Sequence, residues 1–193
     1  MTDYFVDKLT NLLVTDNMDD YDKDILKYGI TTVALNLPKT ILLVIIAAKL
    51  KMIKPLVLIF MFYGTIRKYS RGAHAKTPLG CFIVGMANYL GMAYLSVFIK
   101  IPRKLYHLAY ACYFFIFLKY APSGTEANPV YKDQVKPLKI KSVATVVAFY
   151  FIGLKEGLLR NVAFLSLFSQ AVSILPITYT LSGQKGGMVH EDE

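Results

Sequence analysis

The sequence TPLGCFIVGMANYLGMAYLSVFI (residues 77–99) has no charged side chain along its 23 residues. A helix of about 20 apolar residues crosses the hydrocarbon core of a bilayer, which is about 30 Å thick. Residues 161–184 form a second uncharged stretch of 24 residues. Hydrophobic residues make up 55% of the chain and its mean hydropathy is +0.43, which is too apolar for a soluble protein of 193 residues. The sequence therefore predicts an all-α, polytopic membrane protein.

Six apolar segments follow one another in a chain that has the length of a single domain. They are residues 30–48, 55–66, 78–99, 105–118, 143–154 and 161–181. The second and the fifth have only 12 residues each, so we expect them to tilt, to extend into flanking polar residues or to insert only in part. We interpret residues 1–193 as one integral membrane domain.

Residues 1–28 are acidic and lack a basic segment followed by a long apolar one, so no cleavable signal is predicted. Their apolar residues fall on one face of a helix. These residues are Tyr4, Phe5, Leu9, Leu12 and Leu13. The pattern predicts an amphipathic helix that lies either on the membrane surface or on the cytoplasmic face of the protein. The aspartates weigh against contact with anionic lipid.

The net charge of +9 does not indicate a nucleic-acid-binding protein. The Lys and Arg residues lie in short clusters between the apolar segments, as is usual in membrane proteins. The second and fourth loops, together with the termini, carry more of them than the other three loops do. If all six segments span the bilayer, this distribution favours cytoplasmic termini and places those two loops in the cytoplasm.

The two cysteines and three histidines do not form a metal-binding or disulfide pattern, so no cofactor is predicted. His74 and Cys81, however, lie on either side of a Thr77-Pro78 step. On one straight helix they would be about 10.5 Å apart along the axis, too far for a hydrogen bond. Pro78 lacks an N–H and favours an extended Thr77, so the chain is expected to change there from loop to helix.

A helix start at Pro78 places Cys81 in the first turn, where the positive end of the helix dipole favours a thiolate. An imidazole within reach, that of His74, would complete a Cys–His nucleophile. The alternative is that Cys81 is a small apolar residue at the start of a membrane helix. The other such pair, His107 and Cys112, lies within an aromatic-rich helix without a break, and we interpret it as a pair of packing residues.

Two further features are candidates for function. Residues 119–142 form a basic loop whose lysines either hold an acidic peptide or contact lipid head groups. Lys39 falls within the first apolar segment unless the helix begins at Pro38. A charged residue within a span is a functional candidate, and the alternative is that Lys39 extends to the membrane interface.

The stretch IRKYSRGAHAKTPLGC (residues 66–81) resembles the signature of the accessory gene regulator protein B (AgrB) family, which are bacterial membrane cysteine peptidases. The element YGITTVALNLPK (residues 28–39) is also similar to the family pattern. So is a YAP element at residue 120, which a Pro- and Lys-rich stretch follows up to residue 141. The order of these elements agrees with the family, and the resemblance covers nearly the whole chain.

The resemblance implies roles for individual residues. Cys81 would be the nucleophile and His74 its base, while Arg67 and Gly72 would shape the active-site loop in residues 67–81. The family usually has Glu or Gln where this chain has Thr31, which can orient the histidine only weakly. Lys39 matches the family position and is expected to support the site.

The family resemblance also implies a substrate and a reaction. The substrate would be a small precursor of a quorum-sensing signal, with an amphipathic leader, a central segment containing Cys or Ser, and an acidic tail. Cys81 would release the tail through a thioester, and the Cys or Ser would then close a thiolactone or lactone ring. We expect Lys136, Lys139 and Lys141 to hold the acidic tail, on the cytoplasmic side of the plasma membrane.

A transporter or channel without covalent chemistry is the alternative function. It would use Lys39 and the glycine-containing segment, residues 78–99, as its path. Glycines in a membrane helix are more typical of close helix packing, and here they indicate a face for a homodimer. The predicted partners are therefore the precursor peptide, the lipid bilayer and a second copy of the chain.

Overall fold

The computed structural model describes the greater part of the chain. The described residues are 7–8, 10, 12–14, 18–73, 75, 77–125, 129–183 and 189–190. The chain divides into two units, Met1–Lys49 and Leu50–Glu193.

The first unit consists mainly of one helix, α1 (Asp20–Lys49). The helix begins where the Asp19 carboxylate accepts a hydrogen bond from the N–H of Asp22 at 2.7 Å, which satisfies a free donor of the first turn. Pro38 lies inside α1, so the predicted alternative of a helix start at Pro38 is wrong. Lys39 is consequently a mid-helix residue.

The predicted amphipathic N-terminal helix is described in part. The described residues between 7 and 13 are helical, and Lys27 of α1 forms an ion pair with Asp7 at 2.8 Å. Leu12 and Leu13 are exposed. Tyr4, Phe5 and Leu9 lie outside the described residues. Helical structure is thus confirmed where the structure describes it, and the location on a membrane surface stays a prediction.

The second unit contains six helices among its described residues. They are α2 (Ile53–Ser70), α3 (Pro78–Phe98), α4 (Arg103–Tyr120), α5 (Lys132–Gly153), α6 (Leu158–Ile174) and α7 (Pro176–Ser182). Two short parallel strands, β1 (Val130–Tyr131) and β2 (Val189–His190), pair in front of α5. The segment predicted as a basic loop, residues 119–142, is therefore helical up to Tyr120 and again from Lys132.

Helix α6 is the centre of this unit. Ten of its 17 residues are buried, and it packs against α2, α3, α4 and α5. The buried residues are Arg160, Asn161, Val162, Ala163, Leu165, Ser166, Leu167, Gln170, Ala171 and Ile174. A helix that is buried on most of its circumference lies in the core rather than at the surface of a bundle. The other helices are therefore arranged around α6.

Asn161, in the first turn of α6, caps the end of α3. Its side-chain amide donates to the carbonyl of Ser96 at 2.8 Å and to the carbonyl of Ile99 at 2.6 Å. The last four carbonyls of any helix lack partners within the helix. Asn161 satisfies two such groups from a neighbouring helix, which fixes the start of α6 against the end of α3.

Arg160 caps the end of α5 as Asn161 caps the end of α3. Its Nε donates to the carbonyl of Gly153 at 3.0 Å, and its Nη2 donates to the carbonyl of Leu154 at 3.1 Å. The guanidinium carbon lies 5.2 Å from the ring centre of Tyr106, within the range of a cation–π contact. This buried arginine thus joins α4, α5 and α6.

Tyrosines pack α4 onto α5. Tyr106 is fully buried, its ring centre lies 4.4 Å from that of Tyr110, and its hydroxyl donates to the carbonyl of Tyr150. Gly153 lies directly under the Tyr106 ring, and a Cβ at this position would collide with the phenol oxygen. The close approach of α4 and α5 therefore requires a glycine here.

Length and composition identify two described helices that can cross a membrane, Ile25–Lys49 and Leu79–Phe98. The pair Leu158–Ile174 and Pro176–Ser182, bent by 64°, is a third if it counts as one span. Helices α2, α4 and α5 carry three or more Lys and Arg residues each, which leaves them shorter apolar centres. All six predicted apolar segments lie in helices, and two or three of these helices have the length and composition of a span.

Large apolar side chains are exposed on the helices of the second unit. Exposed fractions reach 62% for Met61, 65% for Leu108, 67% for Phe115 and 63% for Phe151. Soluble monomers rarely expose apolar surface on this scale. Contact with lipid in place of water removes the free-energy cost of exposing these side chains. The chain is accordingly an all-α membrane protein.

The predicted sixth segment is one continuous apolar stretch, but its helix is broken. α6 ends at Ile174, Leu175 is extended, and α7 starts at Pro176. Proline has no N–H to continue the hydrogen bonds of α6, and it favours an extended residue before it. The bend turns Tyr179 of α7 back into the protein, where it is buried.

The contact between Gly153 and Tyr106 predicts a difference between two glycine substitutions. We expect Gly153→Ala to lower the free energy of unfolding by about 2 kcal/mol, because overpacking of a filled site costs about 1–3 kcal/mol.

Gly64→Ala in α2 is the matched control, since a Cβ there meets no atom within 4 Å. It gains helix propensity and is expected to stabilise by up to about 1 kcal/mol. Unfolding in mixed micelles, followed by circular dichroism, measures both changes. Equal effects of the two substitutions would contradict the packing described.

Candidate active site

Cys81 lies in the first turn of α3, and its side chain is exposed. Thr77 is extended (φ −109°, ψ 147°) and caps the helix, with its hydroxyl oxygen 3.0 Å from the N–H of Gly80. Pro78 takes the first helical position, where a missing N–H costs nothing. The predicted change from loop to helix at the Thr77-Pro78 step is therefore confirmed.

A cavity of about 420 Å³ opens beside Cys81. Its walls come from α2, α3, α6, α7 and the loop between α2 and α3. Besides Cys81, the lining includes Arg67 of α2 and Ser173 of α6, together with Ala73 and Ala75 of the loop. The thiol thus lies at the wall of a space large enough for a small ligand or a few side chains.

His74 lies outside the described residues, but its neighbours on both sides are described. Ala73 and Ala75 both line the cavity that Cys81 lines. A Cβ built on Gly80 would lie 3.3 Å from the Cβ of Ala75, so the loop packs onto the first turn of α3. The chain on either side of His74 is therefore next to the helix start that carries Cys81.

Arg67 connects this loop to two helices. Its Nη2 donates to the carbonyl of Ala73 at 2.7 Å, directly before His74 in the chain. Its Nη1 donates to Ser173 Oγ at 2.9 Å, with longer bonds of 3.3 Å to Gln170 Oε1 and 3.2 Å to Tyr63 Oη. Because the guanidinium is planar and rigid, these bonds fix the loop backbone relative to α2 and α6.

Gly72 is buried in this loop with a positive φ of 126°, a conformation that L side chains rarely adopt. Its N–H donates to the carbonyl of Ser123 at 2.9 Å. A Cβ at Gly72 would lie 2.6 Å from Ser173 Oγ, which is closer than real Cβ contacts allow. Both the backbone angle and the lack of space therefore require glycine.

Two further residues, Gln170 and Ser123, hold the loop, and neither was among the predicted site residues. Gln170 of α6 donates through Nε2 to Ser70 Oγ at 2.7 Å and to the carbonyl of Arg71. Ser123, after α4, donates its N–H to the carbonyl of Ser70 at 3.0 Å. An amide within an apolar segment was the available signal for Gln170, because a buried polar group needs a partner.

The carbonyl of Ser123 accepts two hydrogen bonds, from the Gly72 N–H and from the Tyr179 hydroxyl at 3.0 Å. Arg71 and Ser123 also form an isolated parallel bridge. The residues that follow the YAP element therefore support the loop that contains His74. This contact gives a structural role to the residues that follow the YAP element, which was singled out in the sequence only as part of the family resemblance.

The family model for Accessory gene regulator B matches residues 6–174 of this sequence. The chain belongs to this family. The stretch around His74 and Cys81, on which the sequence resemblance rested, lies inside the matched range, and the predicted family is confirmed.

Individual relatives agree with this assignment. A putative AgrB-like protein of Clostridium acetobutylicum is 24% identical over 172 residues, which cover 87% of this chain and 82% of that protein. The accessory gene regulator protein B of Staphylococcus aureus (strain MW2) is 27% identical over 184 residues, with coverages of 92% and 97%. That of Staphylococcus intermedius is 30% identical over 121 residues, with coverages of 63% and 64%. No solved structure matches the chain.

Thr31 and Lys39, the other predicted supporting residues, belong to the first unit. The Thr31 hydroxyl donates to the carbonyl of Lys27 in its own helix at 2.7 Å. Lys39 is half-buried in the middle of α1. Their contribution to the active site of this family member stays a prediction.

The lysines predicted to hold an acidic tail do not form one patch. Lys132, Lys136 and Lys139 are spaced by four and three residues in α5, so they share a helix face. Lys141 follows Lys139 by two residues and therefore points away from that face. Its Nζ lies 6.0 Å from the ring centre of Tyr69 in α2. The predicted set divides into a pair on one helix face, the exposed Lys136 and the half-buried Lys139, and a separate Lys141.

The second His and Cys pair, His107 and Cys112, lies away from the cavity beside Cys81. His107 Nδ1 lies 3.1 Å from the Tyr150 hydroxyl oxygen, and Cys112 is exposed elsewhere on α4. Five residues on a helix turn the two side chains to different faces, and neither residue lines the cavity beside Cys81. Cys112 is therefore a useful control thiol.

Arg67 provides a test of the site geometry. Arg67→Lys keeps the charge but loses the rigid fork, and hydrogen bonds to charged groups contribute about 1.5–3 kcal/mol. We expect the free energy of unfolding to fall by about 2 kcal/mol. Lys68→Arg at the adjacent exposed position is the control and should stay within about 0.5 kcal/mol of the native value. Denaturation in mixed micelles measures both variants, and a native-like stability of Arg67→Lys would contradict a structural role of the guanidinium.

Proposed function

We propose that this protein is a membrane cysteine endopeptidase that removes the C-terminal tail of a signal-peptide precursor in quorum sensing. Membership of the accessory gene regulator B family supports a part in that regulation. The observation that carries the proposal is the position of Cys81, which lies at the wall of a cavity together with Ala73 and Ala75, the neighbours of His74.

The first step of the proposed reaction forms a thioester. His74 accepts the proton of the Cys81 thiol, and the thiolate attacks the carbonyl carbon that ends the signal segment. The C–N bond breaks, and the proton passes from His74 to the nitrogen of the leaving tail. The acidic tail departs, and the signal segment stays attached to Cys81 through its carbonyl carbon.

The second step closes the ring. A Cys thiol or Ser hydroxyl within the signal segment attacks the thioester carbonyl, and the Cys81 thiol is released. Exchange of a thioester for a thiolactone is nearly even in free energy, whereas attack by water is downhill and wastes the intermediate. The cavity limits water at the reacting carbon, because most of its lining is apolar.

Arg67 and Gly72 act in this proposal as positioning residues. They fix the backbone on the N-terminal side of His74 through the Ala73 carbonyl and the Gly72 N–H. A loop whose backbone before His74 is held by hydrogen bonds keeps its geometry during the reaction, which saves the cost of ordering it at each turnover.

The proposed location is the bacterial plasma membrane, with several spans and the active site on the cytoplasmic side. If all six apolar segments span the bilayer, the distribution of Lys and Arg between the loops supports this orientation. The acidic tail of the precursor then meets the exposed lysines at the start of α5 before the bond is cut. The lipid bilayer holds the amphipathic leader of the precursor.

The function is tested by removing each thiol in turn. We expect Cys81→Ala in lipid vesicles to release no tail from a precursor peptide and to form no covalent adduct, because the nucleophile is absent. Cys112→Ala is the matched control, since Cys112 is also exposed but lies away from the cavity. It should retain native activity, and mass spectrometry detects the released tail and the thioester. Tail release by Cys81→Ala would refute the peptidase, and a transporter would be indifferent to either change.

Because Lys141 lies on a different helix face from Lys136 and Lys139, we predict that substitutions of these lysines have unequal effects on KM for a precursor with an acidic tail. We expect the double variant Lys136→Gln and Lys139→Gln to raise KM about fivefold for a tail with several acidic residues, since each exposed ion pair contributes about 0.2–1 kcal/mol. The effect should shrink with added salt and with a neutral tail. Lys141→Gln is the control, because Lys141 lies on another face beside Tyr69. If Lys141→Gln raises KM as much, recognition does not follow the shared helix face.

A further inference from the structure

The cavity beside Cys81 continues along α3 into the helix bundle. Besides Cys81, the residues of α3 that line it are Val84, Gly85, Asn88 and Tyr89. Their spacing places them on one face of the helix. Seven residues separate Cys81 from Asn88, so the lined face extends for about 10 Å along the axis. The thiol therefore lies at one end of an elongated space.

Four polar side chains in the lining are bonded to one another in two pairs, and Thr178 and Ser182 donate to main-chain carbonyls. Ser169 Oγ donates to Asn88 Oδ1 at 2.8 Å, and Arg67 donates to Ser173 Oγ at 2.9 Å. Most of the accessible surface of the cavity is apolar. A group that enters it finds apolar walls and few unsatisfied polar partners, which favours an apolar occupant.

We propose that this cavity is the subsite for the substrate residue whose carbonyl Cys81 attacks, and that Gly85 sets the size of the side chain accepted there. The preferred residue is a large apolar or aromatic one. This inference rests on the proposed peptidase function and adds the specificity of its acyl side.

The acyl side, rather than the leaving side, fits the chemistry of the cavity. The leaving segment is acidic, and Nη1 and Nη2 of Arg67, the cationic residue in the lining, already donate to Ser173 Oγ and to the Ala73 carbonyl. A carboxylate buried in this mostly apolar cavity is therefore disfavoured. The acyl residue, in contrast, remains bonded to Cys81 Sγ as the thioester while the ring closes. Its side chain fills the space next to the thiol, and apolar burial there keeps the intermediate in place.

Gly85 is the residue of the lining where volume can be added without disturbing the protein. A Cβ at this position meets no heavy atom within 4 Å, so the space over Gly85 belongs to the cavity. The whole cavity holds about 420 Å³, enough for one large side chain and part of a second. A longer side chain at Gly85 therefore occupies the volume that an aromatic substrate residue needs.

The test compares two precursor peptides that carry Phe or Ala at the residue before the cut, with full-length enzyme in lipid vesicles. Native enzyme is expected to prefer the Phe peptide in kcat/KM. Gly85→Leu should lower the Phe-to-Ala ratio about tenfold or more, since a few methylene groups in an apolar pocket discriminate by about 10–200-fold. Gly85→Ala should give an intermediate ratio.

Gly91 provides a matched control on the same helix. A Cβ at Gly91 also meets no atom within 4 Å, but Gly91 does not line the cavity. Gly91→Leu and Gly91→Ala should therefore keep the native ratio. Alkylation of Cys81 by iodoacetamide in a Cys112→Ala background should proceed at native rate in every variant, which shows that the thiol and the fold are intact.

The possible results distinguish a failure of the proposed subsite from a failure of the proposed peptidase function. If native enzyme cuts the peptides but Gly85→Leu leaves the ratio unchanged, the subsite is refuted. A fall of similar size in Gly91→Leu refutes it as well. Should Gly85→Leu fail to fold, Gly85→Ala against Gly91→Ala decides the question. If native enzyme cuts neither peptide, the proposed function fails, and the subsite fails with it.

Discussion

Main-chain carbonyls at helix ends need hydrogen-bond donors, and this constraint is severe in a membrane, where no water can supply them. In the second unit, side chains of α6 supply donors to the ends of three other helices. Asn161 serves α3, Arg160 serves α5, and Gln170 binds the carbonyl of Arg71 after α2. A single central helix therefore holds the bundle at both of its ends through polar contacts, while its apolar residues fill the core.

The candidate active site depends on the same helix. Gln170 and Ser173, near the end of α6, receive the hydrogen bonds of Arg67, and Ser173 limits the space over Gly72. The loop that contains His74 is thus fixed by α6, the helix that organises the fold, together with Arg67 of α2 and Ser123 after α4. Chemistry that needs two groups at a set distance benefits from such a rigid support.

Part of this structure could be predicted from the positions of its prolines. Pro78 predicted the start of α3 and the first-turn position of Cys81, because proline restricts the residue before it. The pattern left two alternatives open at Pro38, where the helix continues through the proline, and it did not predict the break at Pro176. A one-dimensional pattern shows that proline weakens a helix, but packing decides whether the helix continues.

Contacts between distant parts of the chain were beyond sequence reasoning. The bonds that join Gln170 to Ser70, and Ser123 to Gly72, span 100 and 51 positions in the chain, and no local pattern predicts their partners. The lysines of α5 were predicted as one patch because their helix was taken as a loop. Helical periodicity then separated Lys141 from Lys136 and Lys139.

The separation of that lysine face from the loop held by α6 has an evolutionary consequence. Exposed positions near the start of α5 can change at little cost in stability, whereas Gly72 and Gln170 are buried and cannot. The charges exposed at the start of α5 are therefore free to diverge between lineages while the geometry around Cys81 stays the same. Such a protein can acquire a new partner without first losing its fold.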